Sequence, residues 1–87
     1  MTVALMWEAR AVRGGGADLL AWAGAQELPR RPLRRETLRA PGDRVLVITW
    51  WDADLDAELP ELPDPAPELI TRAVHRWRFE SVSTSPG

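Results

Sequence analysis

The architecture of this 87-residue chain follows from one stretch, Val45-Leu46-Val47-Ile48-Thr49-Trp50-Trp51. β-Branched and aromatic residues dominate it, which is typical of a β-strand. Successive side chains of a strand point to opposite faces, and here both sets are apolar. We therefore predict a central strand that is covered on both sides, with Trp50 and Trp51 on opposite faces.

The segments around this strand predict an antiparallel sheet. Residues 2–12 carry apolar side chains at odd positions and a mixed set at even positions, which indicates a strand with one buried face. Residues 32–39 predict an edge strand rich in arginine, joined to the central strand by a proline- and glycine-containing turn at residues 40–43. Apolar and polar residues alternate again over residues 77–82, which predicts the last strand.

Two segments predict helices. Residues 17–26 are rich in alanine, and their leucines recur at helical spacing. The second helix is expected after the acidic, proline-rich residues 52–67, with Asp64 as its cap and residues 69–73 as its body. The pattern leaves the end of this helix open.

The resulting order is β-α-β-β-α-β, which predicts an α+β domain of the ferredoxin-like class. Four antiparallel strands would carry two helices on one face and leave the other face bare. Residues 1–83 form this single domain, and residues 84–87 form a disordered tail. Because the central strand is apolar on both sides, the bare face would expose apolar side chains to water. We therefore predict a homodimer that packs sheet against sheet.

Composition limits the classes of function. The chain has no cysteine, so it can form neither a disulfide nor a thiolate metal site. All 11 basic residues are arginine, but the net charge is −2. This negative balance argues against a nucleic-acid-binding protein, which needs a dominant basic surface. No apolar run approaches the roughly 20 residues of a membrane helix, and residues 1–8 do not resemble a secretion signal. We expect a cytoplasmic protein without a metal, a cofactor, a membrane partner or a nucleic-acid partner.

A candidate ligand pocket lies on the odd-numbered face of the first strand. There Ala9 leaves space beside the large side chain of Trp7, and Trp77 is expected to share the face. Trp50 and His75 complete the candidate pocket, which would favour a small hydrophobic ligand. The competing interpretation is that the tryptophans fill the core and that His75 is a half-exposed residue at a junction.

Candidates for polar chemistry are fewer. Arg35, in the arginine-rich stretch 30–44, could contact an anion through the forked donors of its guanidinium group. The alternative is a solvated edge strand, or pairing of this stretch with the acidic residues 52–68. All serines lie in residues 81–85, so no constellation of serine, histidine and acid is evident, and we predict no catalytic residue.

Two stretches carry a family resemblance: Met6-Trp7-Glu8-Ala9-Arg10, and the apolar strand at 45–51 that ends in tryptophan. In order and length the chain resembles the dimeric α+β barrel superfamily, which includes antibiotic-biosynthesis monooxygenases and haem-degrading enzymes. Ala9 stands where the haem-degrading members have an asparagine, so their catalytic residues are not carried over. The end of the chain, Trp77-Arg78-Phe79-Glu80, is similar to short actinobacterial proteins, which implies no activity.

Two functions are therefore expected. The residues favour a small, non-catalytic dimeric module that binds a small hydrophobic ligand or a partner protein. The resemblance implies the alternative, a cofactor-independent monooxygenase or a haem-binding enzyme. In that alternative Trp7, Trp50 and His75 would line the cleft, and Arg35 would steady an anionic substrate.

Overall fold

The computed structural model describes all 87 residues as a four-stranded antiparallel sheet with one α-helix. The elements are β1 (Thr2–Arg10), α1 (Gly16–Ala25), β2 (Arg34–Ala40), β3 (Arg44–Asp52) and β4 (His75–Glu80). The strand order is β2-β3-β1-β4, so β3 and β1 are central and β2 and β4 are the edges. The predicted α+β class is confirmed, and all four strands and the first helix lie close to their predicted bounds.

The core lies between the sheet and α1. Its largest cluster consists of Trp7, Ala9, Ala11, Leu19, Ala23, Val45, Val47 and Leu62. Only 13 of the 87 residues are buried, so the core is thin, as expected for a chain of this length. The molecule measures 38 × 31 × 19 Å, and the shortest dimension reflects a flat, two-layered shape. The helix α1 is neither long enough nor apolar enough to span a membrane.

The predicted second helix is wrong. A single turn of 3-10 helix, Pro67–Leu69, is the only helical element after β3. Residues 58–66, which we call the strap, form neither helix nor strand. The prolines that recur in this region lack an N–H group and have a fixed φ, so a regular helix cannot form through them. The carboxylate of Asp64, the predicted cap, instead accepts a hydrogen bond of 2.8 Å from Arg76.

The strap takes over the covering role that the second helix was expected to have. Leu62 is buried in the main core cluster. The indole Nε1 of Trp7 donates a hydrogen bond of 3.3 Å to the carbonyl oxygen of Pro63. Arg76 donates one of 2.7 Å to the carbonyl oxygen of Leu62. Side chains of the sheet therefore donate hydrogen bonds to carbonyl oxygens of the strap. In a helix, backbone N–H groups of the helix itself would donate these bonds.

The turn between β2 and β3 is fastened to the start of α1. Gly42 and Asp43 have φ values of +82° and +59°, a left-handed conformation that aspartate tolerates better than most residues. Oδ2 of Asp43 accepts a hydrogen bond of 3.0 Å from the backbone N–H of Gly14. A Cβ atom on Gly16 would lie 2.9 Å from Oδ1, so a larger residue there would displace the carboxylate of Asp43. The carboxylate thus lies at the N-terminal end of α1, where a negative charge is stabilising.

We expect Asp43→Ala to lower the free energy of unfolding by about 1–3 kcal/mol, because it removes the hydrogen bond to Gly14 and puts a less tolerant residue in left-handed backbone. Asp43→Gly is the matched control, since it removes the same carboxylate and accepts the backbone conformation without strain. Its loss should be smaller. Urea unfolding followed by tryptophan fluorescence measures both variants, and equal stability of Asp43→Ala and the unmodified chain would contradict this role.

Candidate interaction surface on the open sheet face

The strand register divides the side chains of the sheet between two faces. Odd-numbered residues of β1 and β3 lie on the side of α1, where Val3, Ala9 and Val47 are fully buried. Even-numbered residues of these strands point to the other side, which carries no helix and which we call the open face. Burial alternates along both strands accordingly, with the even positions only partly buried.

The open face is largely apolar over β3, β1 and β4, whereas β2 contributes the charged Arg34 and Glu36 beside Leu38. Met6 lies between Ile48 of β3 and Trp77 of β4 in the register, so these three side chains form a row across the middle of the sheet. The other apolar members are Ala4, Leu38, Leu46, Trp50 and Phe79. Trp77 is 48% exposed and Phe79 is 51% exposed, whereas Trp7 on the covered face is 4% exposed. Such an area on an isolated chain is typical of an interaction site.

A carboxylate interrupts the apolar surface at one end. Oε1 of Glu8 accepts a hydrogen bond from Arg72, and Nδ1 of His75 lies 3.8 Å from the same oxygen. The side chain of Glu8 is only 16% exposed. The second oxygen, Oε2, accepts no hydrogen bond within the chain. Glu8 therefore keeps the capacity to accept a further hydrogen bond.

A depression of about 230 Å³ lies beside Glu8. Leu38 and Leu46 form apolar walls of this depression, and Ala40 leaves space at its side. Its remaining boundary is formed by Arg39, Arg44 and Val45. The depression thus combines apolar walls with a carboxylate that is already paired with Arg72 and with two arginines, so it carries no excess of negative charge.

A cation and an aromatic ring form a second feature of the open face, at the β2 edge. The guanidinium carbon of Arg34 lies 5.0 Å from the centre of the Trp50 ring, a cation–π geometry. Arg34 also forms an ion pair of 2.9 Å with Glu36. The side chain of Arg34 is 65% exposed, so most of its donors face solvent. This Arg34–Trp50 unit lies at the β2 edge of the open face, with Trp50 partly buried and Arg34 exposed.

The structure does not bring the five predicted pocket residues together. Trp7 and Ala9 lie on the covered face, whereas Trp50, His75 and Trp77 belong to the open face, so the sheet separates the two groups. The space predicted beside Ala9 is occupied, since Ala9 is fully buried within the main core cluster. The candidate ligand pocket on the odd-numbered face is therefore filled by the protein itself.

The expected position of Trp77 is wrong because of the register of β4. Trp77 lies opposite Met6 and Phe79 lies opposite Ala4, so both aromatic rings share the even-numbered face of β1. The ring of His75 meets the Trp77 ring edge-on, with 5.3 Å between ring centres. In the core, Trp7 instead stacks on Trp22 at 5.9 Å.

Arg35, the predicted anion contact, is engaged within the chain. It donates hydrogen bonds of 2.8 Å and 2.7 Å to the carbonyl oxygens of Ala23 and Gln26. These carbonyls lie at the C-terminal end of α1, where backbone acceptors lack partners and a positive charge is stabilising. Arg35 therefore fastens α1 to β2, and its anion-binding role stays a prediction without a geometric basis.

Reasoning from the sequence missed Glu8, Arg34 and Arg72 as site residues. Glu8 was visible as the one acidic residue on the mixed face of the first strand. Its partner Arg72 lies 64 residues away, in a segment predicted to be helical. A periodic sequence pattern cannot predict the pairing of Glu8 with Arg72, because this pairing depends on how β4 and the loop before it pack against β1.

Comparison with family models found no match, and neither curated proteins nor solved structures gave one. The resemblance to the dimeric α+β barrel superfamily therefore rests on the residues quoted above. The function must be inferred from the geometry of the open face.

We expect Ala9→Leu to lower the free energy of unfolding by about 1–3 kcal/mol, because added methylene groups have no space in a filled core. Ala21→Leu, on the exposed side of α1, is the matched control and should change stability little. Thermal unfolding at low protein concentration measures both. A stable Ala9→Leu variant that binds less hydrophobic dye than the unmodified chain would restore the pocket that the structure shows as filled.

Proposed function

We propose that the chain is a non-catalytic homodimerising module whose open face binds a second copy, sheet against sheet. The observation that carries the proposal is the row Ile48–Met6–Trp77 together with the exposed aromatic rings beside it. Burial of apolar surface is the dominant favourable term in most protein association. The open face of a second copy matches it in size, shape and polarity.

The surface area of the chain supports a second copy as its partner. The chain exposes 5921 Å², whereas a folded monomer of 9.7 kDa exposes about 5,100 Å² by the scaling of surface with mass. The excess of about 800 Å² compares with the roughly 800 Å² that each partner buries in a standard interface. The exposed residues 81–87 contribute part of this excess, and the flat shape of the molecule accounts for the rest.

The ferredoxin-like assignment belongs to this proposal. It is supported by the connection from β1 through α1 to the far edge strand β2, which leaves room for β3 between them. The hairpin of β2 and β3 and the placement of β4 beside β1 also fit a split β-α-β arrangement. Without the second helix the chain buries less surface than a complete member of this class, which increases the benefit of a partner.

We expect Trp77→Arg to convert the dimer to a monomer. Trp77 is 48% exposed in one copy, so an arginine there costs little in the monomer but would be buried without a partner in the interface. Light scattering at micromolar concentration should give about twice 9.7 kDa for the unmodified chain and about 9.7 kDa for the variant. Ala21→Arg, on the exposed side of α1, is the control and should remain dimeric.

The dimer proposal fails if the unmodified chain stays monomeric as its concentration is raised to the millimolar range. It also fails if Ala21→Arg dissociates as readily as Trp77→Arg, since the effect would then come from net charge. Circular dichroism of each variant separates dissociation from unfolding.

A second candidate function has one observation in its favour. The exposed imidazole of His75 lies beside the exposed ring of Trp77, an arrangement that a flat hydrophobic ligand or haem could contact. This candidate corresponds to the monooxygenase or haem-binding alternative. It no longer includes Trp7, which lies on the covered face.

A haem titration separates the two functions. Ligation by His75 should shift the Soret band, and His75→Ala should abolish the shift because the chain has no other histidine. The preferred function predicts the same spectra for both chains. A saturable shift that disappears in His75→Ala would favour the second candidate.

A further inference from the structure

The outer edge of β4 carries backbone groups that no other part of the chain binds. The N–H group of Ser81 donates a hydrogen bond to the carbonyl oxygen of Thr2, so the odd-numbered residues of β4 direct their backbone groups toward β1. This direction alternates along an antiparallel strand, so Arg76, Arg78 and Glu80 direct theirs away from the sheet. Because β4 is an edge strand, these outward groups have no partner in the chain. The edge is therefore open to a further strand.

Two charged side chains at this edge have no oppositely charged partner. Glu80 is exposed and forms no ion pair, and neither does Arg78. Nη1 of Arg78 donates hydrogen bonds of 2.8 Å and 2.6 Å to the carbonyl oxygens of Leu55 and Ala57. Its Nε and Nη2 groups stay free to bind a carboxylate. Arg76, by contrast, already pairs with two carboxylates of the strap.

The opposite edge of the sheet differs in charge. The N–H group of Ala53 donates to the carbonyl oxygen of Met1, so the odd-numbered residues of β3 face β1 and the even-numbered ones face β2. The even-numbered residues of β2 therefore face β3, and Arg35, Thr37 and Arg39 direct their backbone groups outward. None of these three is acidic. The outward residues of β2 thus lack the unlike charges that β4 offers.

Charge selects one antiparallel register for two copies of β4. Outward-directed residues have to face each other, so the possible registers differ by steps of two residues. An axis at Arg76, Arg78 or Glu80 sets that residue opposite itself, and an axis at Trp77 sets Arg76 opposite Arg78. Like charges that lie directly opposite each other are destabilising. With the axis at Phe79, Arg78 of each copy instead lies opposite Glu80 of the other, and no like charges meet.

The same register joins aromatic rings on the open face. Phe79 lies opposite Phe79 of the second copy, at a position where the two Cα atoms are about 4.5 Å apart. Trp77 lies diagonally across from that ring, at a spacing that aromatic side chains can bridge. In the single chain Phe79 is 51% exposed and Trp77 is 48% exposed. Edge pairing would therefore cover part of both rings.

We infer that two copies pair antiparallel along the outer edge of β4, with Phe79 at the twofold axis and Arg78 of each copy bound to Glu80 of the other. The occupant of the edge is thus a second copy of the same strand. This axis is perpendicular to the sheet, so the two open faces lie side by side and stay free. The edge contact is separate from the proposed sheet-against-sheet contact and does not depend on it. Four copies that use both contacts would form a closed assembly.

A charge exchange at the edge tests this register. Glu80→Arg sets an arginine against Arg78 of the second copy, and Arg78→Glu sets a glutamate against Glu80. In each variant the dissociation constant of the edge contact should rise about tenfold or more. A mixture of the two chains restores unlike charges at both contacts, so its mixed pairs should approach the affinity of the unmodified chain. Sedimentation equilibrium from micromolar to millimolar concentration measures this association step, and native mass spectrometry of isotope-labelled chains counts the mixed pairs.

Glu68→Arg is the matched control, because Glu68 is exposed, lies outside β4 and undergoes the same change of charge as Glu80. Its association should equal that of the unmodified chain. Equal weakening by Glu68→Arg and Glu80→Arg would show that net charge causes the effect, and would overturn the register. A mixture of Glu80→Arg and Arg78→Glu chains that forms no excess of mixed pairs would also overturn it.

Amide hydrogen exchange tests the edge contact without any substitution, and so does not depend on how the variants fold. The N–H groups of Arg78 and Glu80 should exchange at least about tenfold more slowly as the concentration is raised, because they then donate to carbonyl oxygens of the second copy. The outward N–H group of Thr37 is the control and should stay fast. Unchanged exchange at Arg78 and Glu80 in an associated chain overturns the edge contact and leaves the sheet-against-sheet dimer in place. An unmodified chain that stays monomeric at millimolar concentration overturns both proposals.

Discussion

The antiparallel pairing of β1 with β3 is the constraint on which the rest of the structure depends. It joins Thr2–Arg10 to Arg44–Asp52 along their whole lengths. These are the two central strands, so their register decides which residues lie under α1 and which lie on the open face. A slip of β3 by one residue would move Val45 and Val47 to the open side, and a slip of β1 would place Glu8 in the core. The apolar alternation of β1 and β3 therefore favours this register over its neighbours.

The prolines of the strap determine how completely this sheet is covered. They exclude a second helix, and a single extended segment with Leu62 at its centre packs where the helix was expected. The strap is held by hydrogen bonds from Arg76 and Trp7, whose partners are its carbonyl oxygens. A core of this size leaves the chain with little stability to spare. The proposed dimer buries more apolar surface without lengthening the chain, and this burial would stabilise the fold.

Charged residues on an apolar face cost free energy when they are buried, so their presence on the open face has to be explained. Glu8 lies among apolar neighbours with Arg72 as its partner, and Arg34 lies over Trp50. The side chain of Arg34 is 65% exposed and that of Arg72 is 31% exposed, so these charges are only partly buried in the single chain. In the proposed dimer these charges lose contact with water, so each needs its partner within the chain.

The amino-acid sequence by itself determined the four strands, the first helix and the two-sided apolar character of β3, because alternation and helical spacing are local patterns. It also placed Trp50 and Trp51 on opposite faces, as neighbouring residues of a strand must be. Only the tertiary structure decided on which face Trp77 lies, because a period of two defines two faces without saying which one meets the core. That choice depends on the register of β4 against β1, a contact between segments about 70 residues apart. For the same reason the sequence could not show that Arg35 binds the end of α1, or that core side chains occupy the space beside Ala9.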